Sequence, residues 1–549
     1  MKIKNQMRKK FAGIRNYLMN GNTRSDFSRL FILVFLAFVI RLYFTTLHEV
    51  TSSDCIIIGK NLISGRGFVD INGNPILMGK QFYSLLIGIS SLLTSNLELA
   101  AKLISVAFGS LLLVPIFLLG KRLYNKRVGY IACIFAVFYF WLVDSSAIIS
   151  GESVYIFLVT CGALIGYLAM VRRINSLYFI SGVIFGLCYL TRPEGFGYVG
   201  VMALFSIGVW LFAERNRLGF KRAVTNTFFL LIGFLIVSSP HFLFLHEHTG
   251  QWTLSGNGAL NLIVGEGYGD RQKYELRVMG LTEDKTEIWN DYYLGKVDAM
   301  DYIKSHPLEL FRRYIKNMRG LLTEDIPATF PIWLLLLVGL GLFKSSWGKT
   351  RIKKEIYVSL MILYPLLVFP VMLVSPRYLL ATLPFLLIWT AKGTYELQRW
   401  FEETAPDLKI PWKSSIIVIL VLLSLLPPFI AYQSYFLTDQ LIEHKNAGLW
   451  LKDNAPEEQP RVMSRKGVVA SYADGIPIQL PYANYTDIMA YAKHKKAEYI
   501  VIDERYIPER RPMIAYLLNE SNAPGNLKLI YKNEEIPNRK ILVYTILKY

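Results

Sequence analysis

The chain has 549 residues, of which 53% are hydrophobic and only 18% are charged, and its mean hydropathy is +0.34. An average soluble protein carries roughly 25% charged residues, and the apolar residues here fall in long blocks, which excludes an ordinary soluble protein, a disordered chain and a coiled coil. The net charge of +19 does not require nucleic acid as a partner, because cytoplasmic loops of membrane proteins collect Lys and Arg. No CxxC pair occurs among the four cysteines, so neither a zinc site nor a disulfide framework is predicted.

Eleven apolar stretches are candidates for membrane spans, because a helix needs roughly 20 apolar residues to cross about 30 Å of hydrocarbon. They are residues 30–48, 99–120, 128–146, 153–170, 174–190, 196–213, 224–245, 327–343, 355–374, 378–395 and 413–433. Residues 82–94 are apolar but too short, and we expect a helix that lies in the interface or re-enters the membrane. We expect no cleavable signal peptide, because the basic N-terminal region is long and no small-residue cleavage site follows it.

The distribution of basic residues predicts the orientation of these spans. Eight Lys and Arg residues precede residue 30, and further basic residues collect in alternate loops, at 121–127, 172–173, 215–222, 344–354 and 392–413. By the positive-inside rule the N-terminus is cytoplasmic, and an odd number of spans then places the C-terminus outside. The predicted organisation is a basic cytoplasmic N-terminus, a membrane domain with two large outer loops, and an extracytoplasmic domain: 1–29, 30–433 with loops 49–98 and 246–326, and 434–549.

The tail alternates helical and strand patterns. The segment LIEHKNAGLWLKDN has helical spacing and ends at Asn454 and Pro456, which are stop signals. β-Branched and aromatic runs typical of strands follow it: RVMSR, AEYIVID, LKLIYK and RKILVYTIL. The predicted fold class is therefore a polytopic α-helical membrane protein of about eleven spans with a small α/β domain at its C-terminus.

Ionisable residues gather on the predicted outer side of the spans. Asp54 and Lys80 lie in the first outer loop, Glu152 closes the second outer turn, and other outer turns supply Arg192, Glu194 and Arg377. Charged groups at membrane depth are costly, so they are candidates for function by default. Carboxylates and cations brought to one surface suit chemistry on an anionic, membrane-embedded substrate.

Each of these residues also has a purely structural explanation. Asp54 suits the cap of a helix at 55–63, and Glu152 suits a helix start, where the macrodipole favours a carboxylate. Arg192 and Glu194 could pair across a tight Pro-Gly turn, and Arg377 could snorkel to the interface.

Three further features carry a weaker functional hypothesis. Arg41 lies within the first span, where it could snorkel or pair with a carboxylate, and Asp144 is better explained as an interface residue. The run His246-Glu247-His248 resembles a metal motif, but side chains at i and i+2 do not share a helix face. No metal site is predicted there.

Several segments, in this order, resemble the integral-membrane GT-C glycosyltransferases near glycosyltransferase family 39, which includes protein O-mannosyltransferases and lipid A aminoarabinose transferases. They are FVIRLYF, SSDCIIIGKNLISGRGF, YSLLIGISSLL, AAKLISVAFGSLLLVPIFLLGKRLYNKRVG, SGESVYIFLV, LTRPEG, HTGQWTLSGNGALNL and SPRYLLATLPFL. In two places the chain departs from many relatives: Cys55 rather than a second acidic residue follows Asp54, and Lys80-Gln81 stands where a Pro-Pro pair is common. The Trp-Trp-Asp motif of oligosaccharyltransferases is absent from the sequence, which argues against glycosylation of Asn.

The resemblance implies transfer of a sugar from a polyprenyl-phosphate carrier to an extracytoplasmic acceptor, which is a protein, a glycolipid or a glycan. The acidic residues of the family's first and second outer loops match Asp54 and Glu152. We expect Asp54 to be the general base of an inverting displacement, Glu152 to orient or assist, and Lys80, Arg192 and Arg377 to stabilise the phosphate leaving group, with Glu194 beside them. No cofactor is predicted, and a divalent metal is not indicated.

Two other classes of function are open to a sequence of this kind. A transporter or flippase of lipid-linked or anionic substrates would also have many spans and intramembrane charges, but it usually shows internal repeats and broken helices at the midplane, which the sequence does not. A non-catalytic scaffold would leave the convergence of acidic and basic residues from several outer turns without an explanation.

Overall fold

A computed structural model describes residues 24–48, 50, 54–71, 73–213, 216–265, 270–372, 375–404, 413–431 and 440–547, so most of the predicted segment 1–29 lies outside the described residues. Six described helices are long and apolar enough to cross a membrane, and two bent helix pairs raise this number to eight if each pair is one span. Three shorter apolar helices accompany them. The chain is an integral membrane protein, and the count of eleven spans stays a prediction.

The helices of the membrane domain follow the predicted apolar stretches in chain order. Up to the seventh stretch they are α1 (Arg24–Thr46), α2 (Asp54–Ile63), α3 (Gln81–Ser90), α4 (Leu97–Leu111), α5 (Leu113–Leu123), α6 (Lys126–Val137), α7 (Phe140–Ala147), α8 (Glu152–Arg172), α9 (Asn175–Thr191), α10 (Gly195–Ala213) and α11 (Arg217–Thr249). The long loop then contains α12 (Gly258–Val264), α13 (Arg271–Met279), α14 (Trp289–Tyr293), α15 (Ala299–Ser305) and α16 (Pro307–Gly320). The remaining membrane helices are α17 (Ile326–Thr329), α18 (Ile332–Phe343), α19 (Lys349–Val368), α20 (Pro376–Leu379), α21 (Leu383–Thr404) and α22 (Lys413–Ser424).

Two stretches that the sequence predicts as single spans are bent. The helix pair α6 and α7, in the predicted span 128–146, bends by 56°, and the pair that joins Pro307–Thr329 to α18 bends by 90°. Phe330, at the second bend, has extended backbone angles and precedes Pro331. A proline disfavours the helical conformation of the residue before it, which explains why the helix stops there.

The helix predicted over 82–94 is α3, which packs against α2 through two glycines. A Cβ atom on Gly59 would lie 2.9 Å from the backbone nitrogen of Gly88. Only glycine allows the two backbones to approach so closely. This contact joins the two helices of the loop 49–98, and the hydroxyl group of Tyr83 on α3 donates to the backbone oxygen of Ala101 in α4. The loop therefore lies at one end of the helical bundle, which also carries the C-terminal domain and is called the domain end below.

The C-terminal domain is a five-stranded sheet covered by helices. Its elements are α23 (Ile442–Asn454), β1 (Arg461–Ser464), α24 (Val468–Tyr472), β2 (Ile476–Gln479), α25 (Tyr485–Lys495), β3 (Tyr499–Asp503), α26 (Ile507–Arg510), β4 (Leu527–Asn533) and β5 (Ile541–Ile546). The strand order is β2-β1-β3-β5-β4, with β1 parallel to β2 and β3, and β5 antiparallel to β3 and β4. The predicted helix and four predicted strands are confirmed.

The strand β2 is absent from the sequence prediction because Pro477 interrupts its pattern. Proline is tolerated at the edge of a sheet, where one side of the strand has no ladder to complete, and β2 is the edge strand next to β1. Apolar side chains cover both faces of the sheet. One core includes Ile488, Ile500 and Leu542, and it also takes Ile288 from the long loop.

Candidate active site

Glu152 is the centre of a buried charged cluster at the domain end. It begins α8, where the helix dipole favours a carboxylate, and its side chain is only 9% exposed. One carboxylate oxygen accepts a hydrogen bond from Nη1 of Arg192 at 3.0 Å and another from Nη2 of Arg377. The predicted convergence of the second, third and fifth outer turns is therefore observed at a single oxygen atom.

Arg192 is held on several sides. It follows α9 in the turn before α10, and its Nη2 donates to Oε1 of Glu194 at 3.2 Å. Its guanidinium group lies 5.6 Å from the ring centroid of Tyr155 and 5.3 Å from that of Tyr378. Ion pairs on one edge and aromatic rings beside it leave this guanidinium little freedom. The predicted pairing of Arg192 with Glu194 is present, and it is part of a larger network.

Arg377 is the open member of the cluster. Its side chain is 57% exposed, whereas that of Arg192 is 12% exposed. A guanidinium group has five N–H donors, and in the part of the chain that the structure describes only Nη2 of Arg377 donates a hydrogen bond, to Glu152. Most of the donor capacity of Arg377 is therefore available to an anion that enters from the domain end.

Lys80 lies beside this cluster. A Cβ atom on Gly79 would lie 2.7 Å from Cδ of Pro193, so the loop before α3 touches the turn that carries Arg192 and Glu194. Lys80 itself is exposed and has φ 96°. Residues other than glycine adopt this left-handed backbone conformation only at a cost in free energy. No carboxylate pairs with its ammonium group among the described residues.

Asp54 lies at the domain end but stands apart from the cluster. It is the first residue of α2 and is exposed, and no hydrogen bond or ion pair joins it to another described residue. The next residue, Cys55, is buried. Tyr83 of α3 is also buried, and its hydroxyl group lies 2.9 Å from Oγ of Ser105 in α4.

The other polar residues singled out in the sequence have structural partners. Arg41 is fully buried and donates to the backbone oxygens of Ala136, at 3.1 Å, and Ala37, at 3.3 Å. It therefore does not snorkel, and among the described residues it pairs with backbone carbonyl groups, one of them near the end of α6, rather than with a carboxylate. Nε2 of His48 lies 3.9 Å from Oδ1 of Asp144.

The histidines near the end of α11 are spread over separate contacts. The ring of His246 stacks on Trp252 at 4.2 Å, and Nδ1 of His248 lies 2.8 Å from the carbonyl oxygen of Phe244. The ring of His241 instead faces the side-chain amide of Gln81. Over the described ranges, no three His, Cys, Asp or Glu side chains are grouped to hold a metal ion.

Sequence reasoning missed the aromatic side chains of the site. Tyr155 lies three residues after Glu152, on the same face of α8, and Tyr378 directly follows Arg377. Both spacings are visible in the sequence. The contact of both rings with Arg192 is not, because it depends on how α8, α9 and α20 pack.

An apolar cleft of about 510 Å³ lies far from these residues, between α10 and α19. Phe212, Lys349 and Lys353 line it. They lie at the end of α10 and the start of α19, whereas the charged cluster adjoins the start of α10 and the end of α19. The cleft is therefore at the opposite end of the bundle and is not part of the candidate site.

Comparisons with known proteins identify the fold of the chain. Residues 81–244 match the family model of the dolichyl-phosphate-mannose-protein mannosyltransferases. The oligosaccharyltransferase of Archaeoglobus fulgidus superposes with a TM-score of 0.57 at 13% identity, over 89% of this chain and 70% of that one. ArnT from Cupriavidus metallidurans, solved with undecaprenyl phosphate, superposes with a TM-score of 0.55 at 11% identity, over 95% of this chain and 98% of that one. The chain has a GT-C fold.

The GT-C resemblance inferred from the sequence is thus confirmed. A further structure with this fold, AglB from Archaeoglobus fulgidus in complex with an inhibitory peptide and a dolichol-phosphate, has a TM-score of 0.57 at 12% identity, over 94% of this chain and 80% of that one. No curated protein sequence matches the chain. These matches do not favour the transporter or flippase alternative.

The matched family segment of this GT-C chain contains only part of the candidate site. Glu152, Arg192 and Glu194 fall within residues 81–244, while Asp54, Lys80 and Arg377 fall outside them. The cluster around Glu152 therefore combines two elements of the matched segment with the later helix α20.

Proposed function

We propose that the chain is a glycosyltransferase that transfers a sugar from a polyprenyl-phosphate carrier to an acceptor outside the cytoplasm. The observation that carries the proposal is the guanidinium group of Arg377, which is anchored on Glu152 while most of its donors face outward. An arginine fixed in this way, at the end of a membrane-embedded GT-C bundle, suits the phosphate of a lipid carrier. The lipid tail would lie between the helices, with the N-terminus in the cytoplasm and the C-terminal domain outside.

The charged residues have separate roles in this mechanism. Asp54 is exposed and has no described partner, so it is the carboxylate free to accept a proton. Glu152 already accepts two guanidinium hydrogen bonds, which suits a residue that positions arginines. Lys80 and Arg377 are the cations with open donors. Arg192 adds a third positive charge close to the phosphate.

The reaction is an inverting displacement at the anomeric carbon. The acceptor hydroxyl gives its proton to Asp54 as its oxygen bonds to the anomeric carbon. The bond between that carbon and the phosphate oxygen breaks, and the electron pair leaves with the polyprenyl phosphate. Fixed cations stabilise the negative charge that develops on the leaving group. The acceptor is a protein, a glycolipid or a glycan, and the sugar is a hexose or a pentose.

The largest expected effect of a single substitution follows from the role of Asp54. In purified protein reconstituted in lipid, release of polyprenyl phosphate from radiolabelled polyprenyl-phosphate monosaccharides should fall by a factor of about 10² to 10⁴ in Asp54→Asn, the range that a general base contributes. Native membrane extract supplies the acceptor.

The matched control is Asp453→Asn, which makes the same chemical change at an exposed residue of the C-terminal domain. It should leave release unchanged. Wild-type release in Asp54→Asn would remove Asp54 from the mechanism. Absence of release from every donor in the panel, with folded wild-type protein, would reject the transferase itself.

A further inference from the structure

A second group of cations lies in the C-terminal domain, where the parallel strands β1 and β3 end. The chain leaves β1 through α24 to β2 on one side, and returns through α25 to β3 on the other side. The connections therefore diverge between β1 and β3. In open α/β sheets this switch point, outside the carboxyl ends of the strands, is where ligands bind.

Five basic residues, termed the strand-end cluster below, follow these two strands. Arg465 and Lys466 come directly after β1, and Arg505, Arg510 and Arg511 follow β3. All except Arg511 are partly exposed. The cluster is thus accessible and comes from loops on both sides of the switch point.

One carboxylate from the long loop serves three of these guanidinium groups. Glu275 of α13 lies 2.7 Å from Arg510, 2.8 Å from Arg511 and 3.4 Å from Arg465. Its side chain is 2% exposed. Two further carboxylates reach the cluster, since Glu509 lies 4.0 Å from Arg510 and Glu443 lies 3.9 Å from Arg505. Three carboxylates cannot neutralise five basic residues, so positive charge remains at the cluster.

Lys466 is the member of the strand-end cluster whose charge is not accounted for by an ion pair among the described residues of the domain. No carboxylate forms an ion pair with it in the described part of the chain, and its ammonium group lies 5.2 Å from the ring centroid of Tyr506. Burial lowers the pKa of Lys466, and three neighbouring guanidinium groups lower it further, while the Asp503 carboxylate opposes them. An anion placed here would relieve this repulsion. In addition, Nε of Arg465 is buried and has no described partner.

The cluster also adjoins the end of a membrane helix. The side chain of Gln440 donates to the backbone oxygen of Leu47, directly after α1. The backbone oxygen of Gln440 accepts hydrogen bonds from Arg505, at 3.3 Å, and Arg539, at 2.9 Å. This side of the domain is therefore joined to the domain end of the bundle, at the level where lipid phosphates lie if α1 crosses the membrane.

We propose that the strand-end cluster is an anion site that binds a phosphate group, separate from the charged cluster around Glu152. The phosphate belongs either to a lipid headgroup or to a soluble phosphorylated molecule. Arg465, Lys466 and Arg505 hold it, and Glu275 fixes the arginines behind them. The proposal does not depend on the transferase activity, because it concerns binding alone.

The test measures how fast lysine side chains of the full-length protein react with an amine-selective reagent, with peptides quantified by mass spectrometry. The protein is held in phosphatidylcholine nanodiscs, with or without inorganic pyrophosphate, and separately in nanodiscs that contain phosphatidylglycerol. Labelling of Lys466 should slow about tenfold when the free anion reaches ten times its Kd. Lys528, an exposed lysine of β4, is the control and should label at the same rate throughout.

The two arms distinguish the sources of phosphate. Protection by pyrophosphate points to a soluble phosphorylated ligand, and protection only by phosphatidylglycerol points to a lipid headgroup. Arg465→Gln should abolish the protection, because it removes a guanidinium group that holds the phosphate. The variant should still fold, because Glu275 keeps its ion pairs with Arg510 and Arg511. Arg377→Gln should leave it intact, which separates this site from the cluster around Glu152. No protection of Lys466 in either arm overturns the proposal.

Discussion

Two buried carboxylates of the membrane domain, Glu152 and Glu355, are both held by arginine, but only one of them leaves room for a ligand. Glu152 is at the domain end, and Glu355 is near the start of α19 at the opposite end. Their side chains are 9% and 2% exposed. Burial alone therefore does not separate them.

The cluster around Glu355 is closed. Its carboxylate accepts hydrogen bonds from the Tyr124 hydroxyl, from Nε1 of Trp389 at 3.0 Å and from Nε of Arg351 at 3.2 Å. The remaining donors of Arg351 are taken by four backbone oxygens, those of residues 341, 342, 345 and 346. The cluster joins α5, α19 and α21, and its polar groups are occupied by one another.

The cluster around Glu152 instead ends in a half-exposed arginine with free donors. A charged residue at membrane depth therefore does not by itself identify a ligand-binding site. What distinguishes a site is unused hydrogen-bonding capacity that faces an opening. The two clusters should accordingly respond to substitution in opposite ways, one in turnover and the other in stability.

Removing the open arginine should cost activity. Arg377→Ala is expected to lower the rate of polyprenyl phosphate release by about 10² to 10³, the range for loss of one preorganised donor to a developing anion. The melting temperature in detergent should stay close to that of the wild type. Arg399→Ala removes an arginine of similar exposure, 52%, near the end of α21, and should change neither quantity. A melting temperature that falls with the activity would make Arg377 a structural residue.

Removing the closed carboxylate should cost stability. Glu355→Ala leaves Arg351, whose side chain is 16% exposed, without its ion pair, and breaking a fully buried pair in this way costs about 3–5 kcal/mol, which is the upper bound here. Thermal unfolding in detergent should show this loss, while the KM for the lipid-linked donor in the remaining folded protein should not change. A wild-type melting temperature with altered KM would reverse the roles assigned to the two clusters.

The aromatic ring beside Arg192 allows a finer test of the open cluster. Tyr378→Leu removes the ring at 5.3 Å from the guanidinium group, and cation–π contacts contribute about 0.5–2 kcal/mol. The KM for the donor should therefore rise by a factor of roughly 2 to 30, since 1.4 kcal/mol is tenfold. Tyr378→Phe keeps the ring and should restore the wild-type KM. Equal effects of Leu and Phe would assign the role to the hydroxyl group instead.

The sequence predicted the open cluster better than the closed one, and the reason is topological. Turns on one side of a membrane protein lie at one boundary, so hydropathy and loop charge predict that Glu152, Arg192 and Arg377 share a surface. They do not predict which residues of that surface meet, since Asp54 lies at the same end and stands apart from the cluster. Glu355 and Tyr124 are 231 positions apart, and their contact depends on the packing of α5 against α19. Helix packing also decides where Tyr155 and Tyr378 lie, and hydropathy does not predict it.

Local sequence rules had similar limits in the fold. Apolar length located the helices, but not the bends near Pro331 and between α6 and α7. Strand propensity located β1, β3, β4 and β5, but not β2 with its proline. The roles of Asp54 and Lys80 stay predictions, because neither has a described polar contact that assigns it a partner in the cluster.

A charged cluster that contains a histidine, in the C-terminal domain, should give the smallest effect, and this effect depends on pH. In the C-terminal domain Nδ1 of His444 lies 3.1 Å from Glu443 and Nε2 lies 3.7 Å from Asp503. Burial lowers the pKa of His444, but the two carboxylates outweigh it and raise the pKa above the ordinary value of 6.5. A raised pKa stabilises the fold fully below the pKa of the unfolded chain, and this stabilisation is lost as the pH rises through the folded-state pKa. Hydrogen-exchange protection of α23 and β3 should therefore weaken from pH 6 upward in the wild type and vary less with pH in His444→Gln, and an identical dependence in both would exclude His444 as its source.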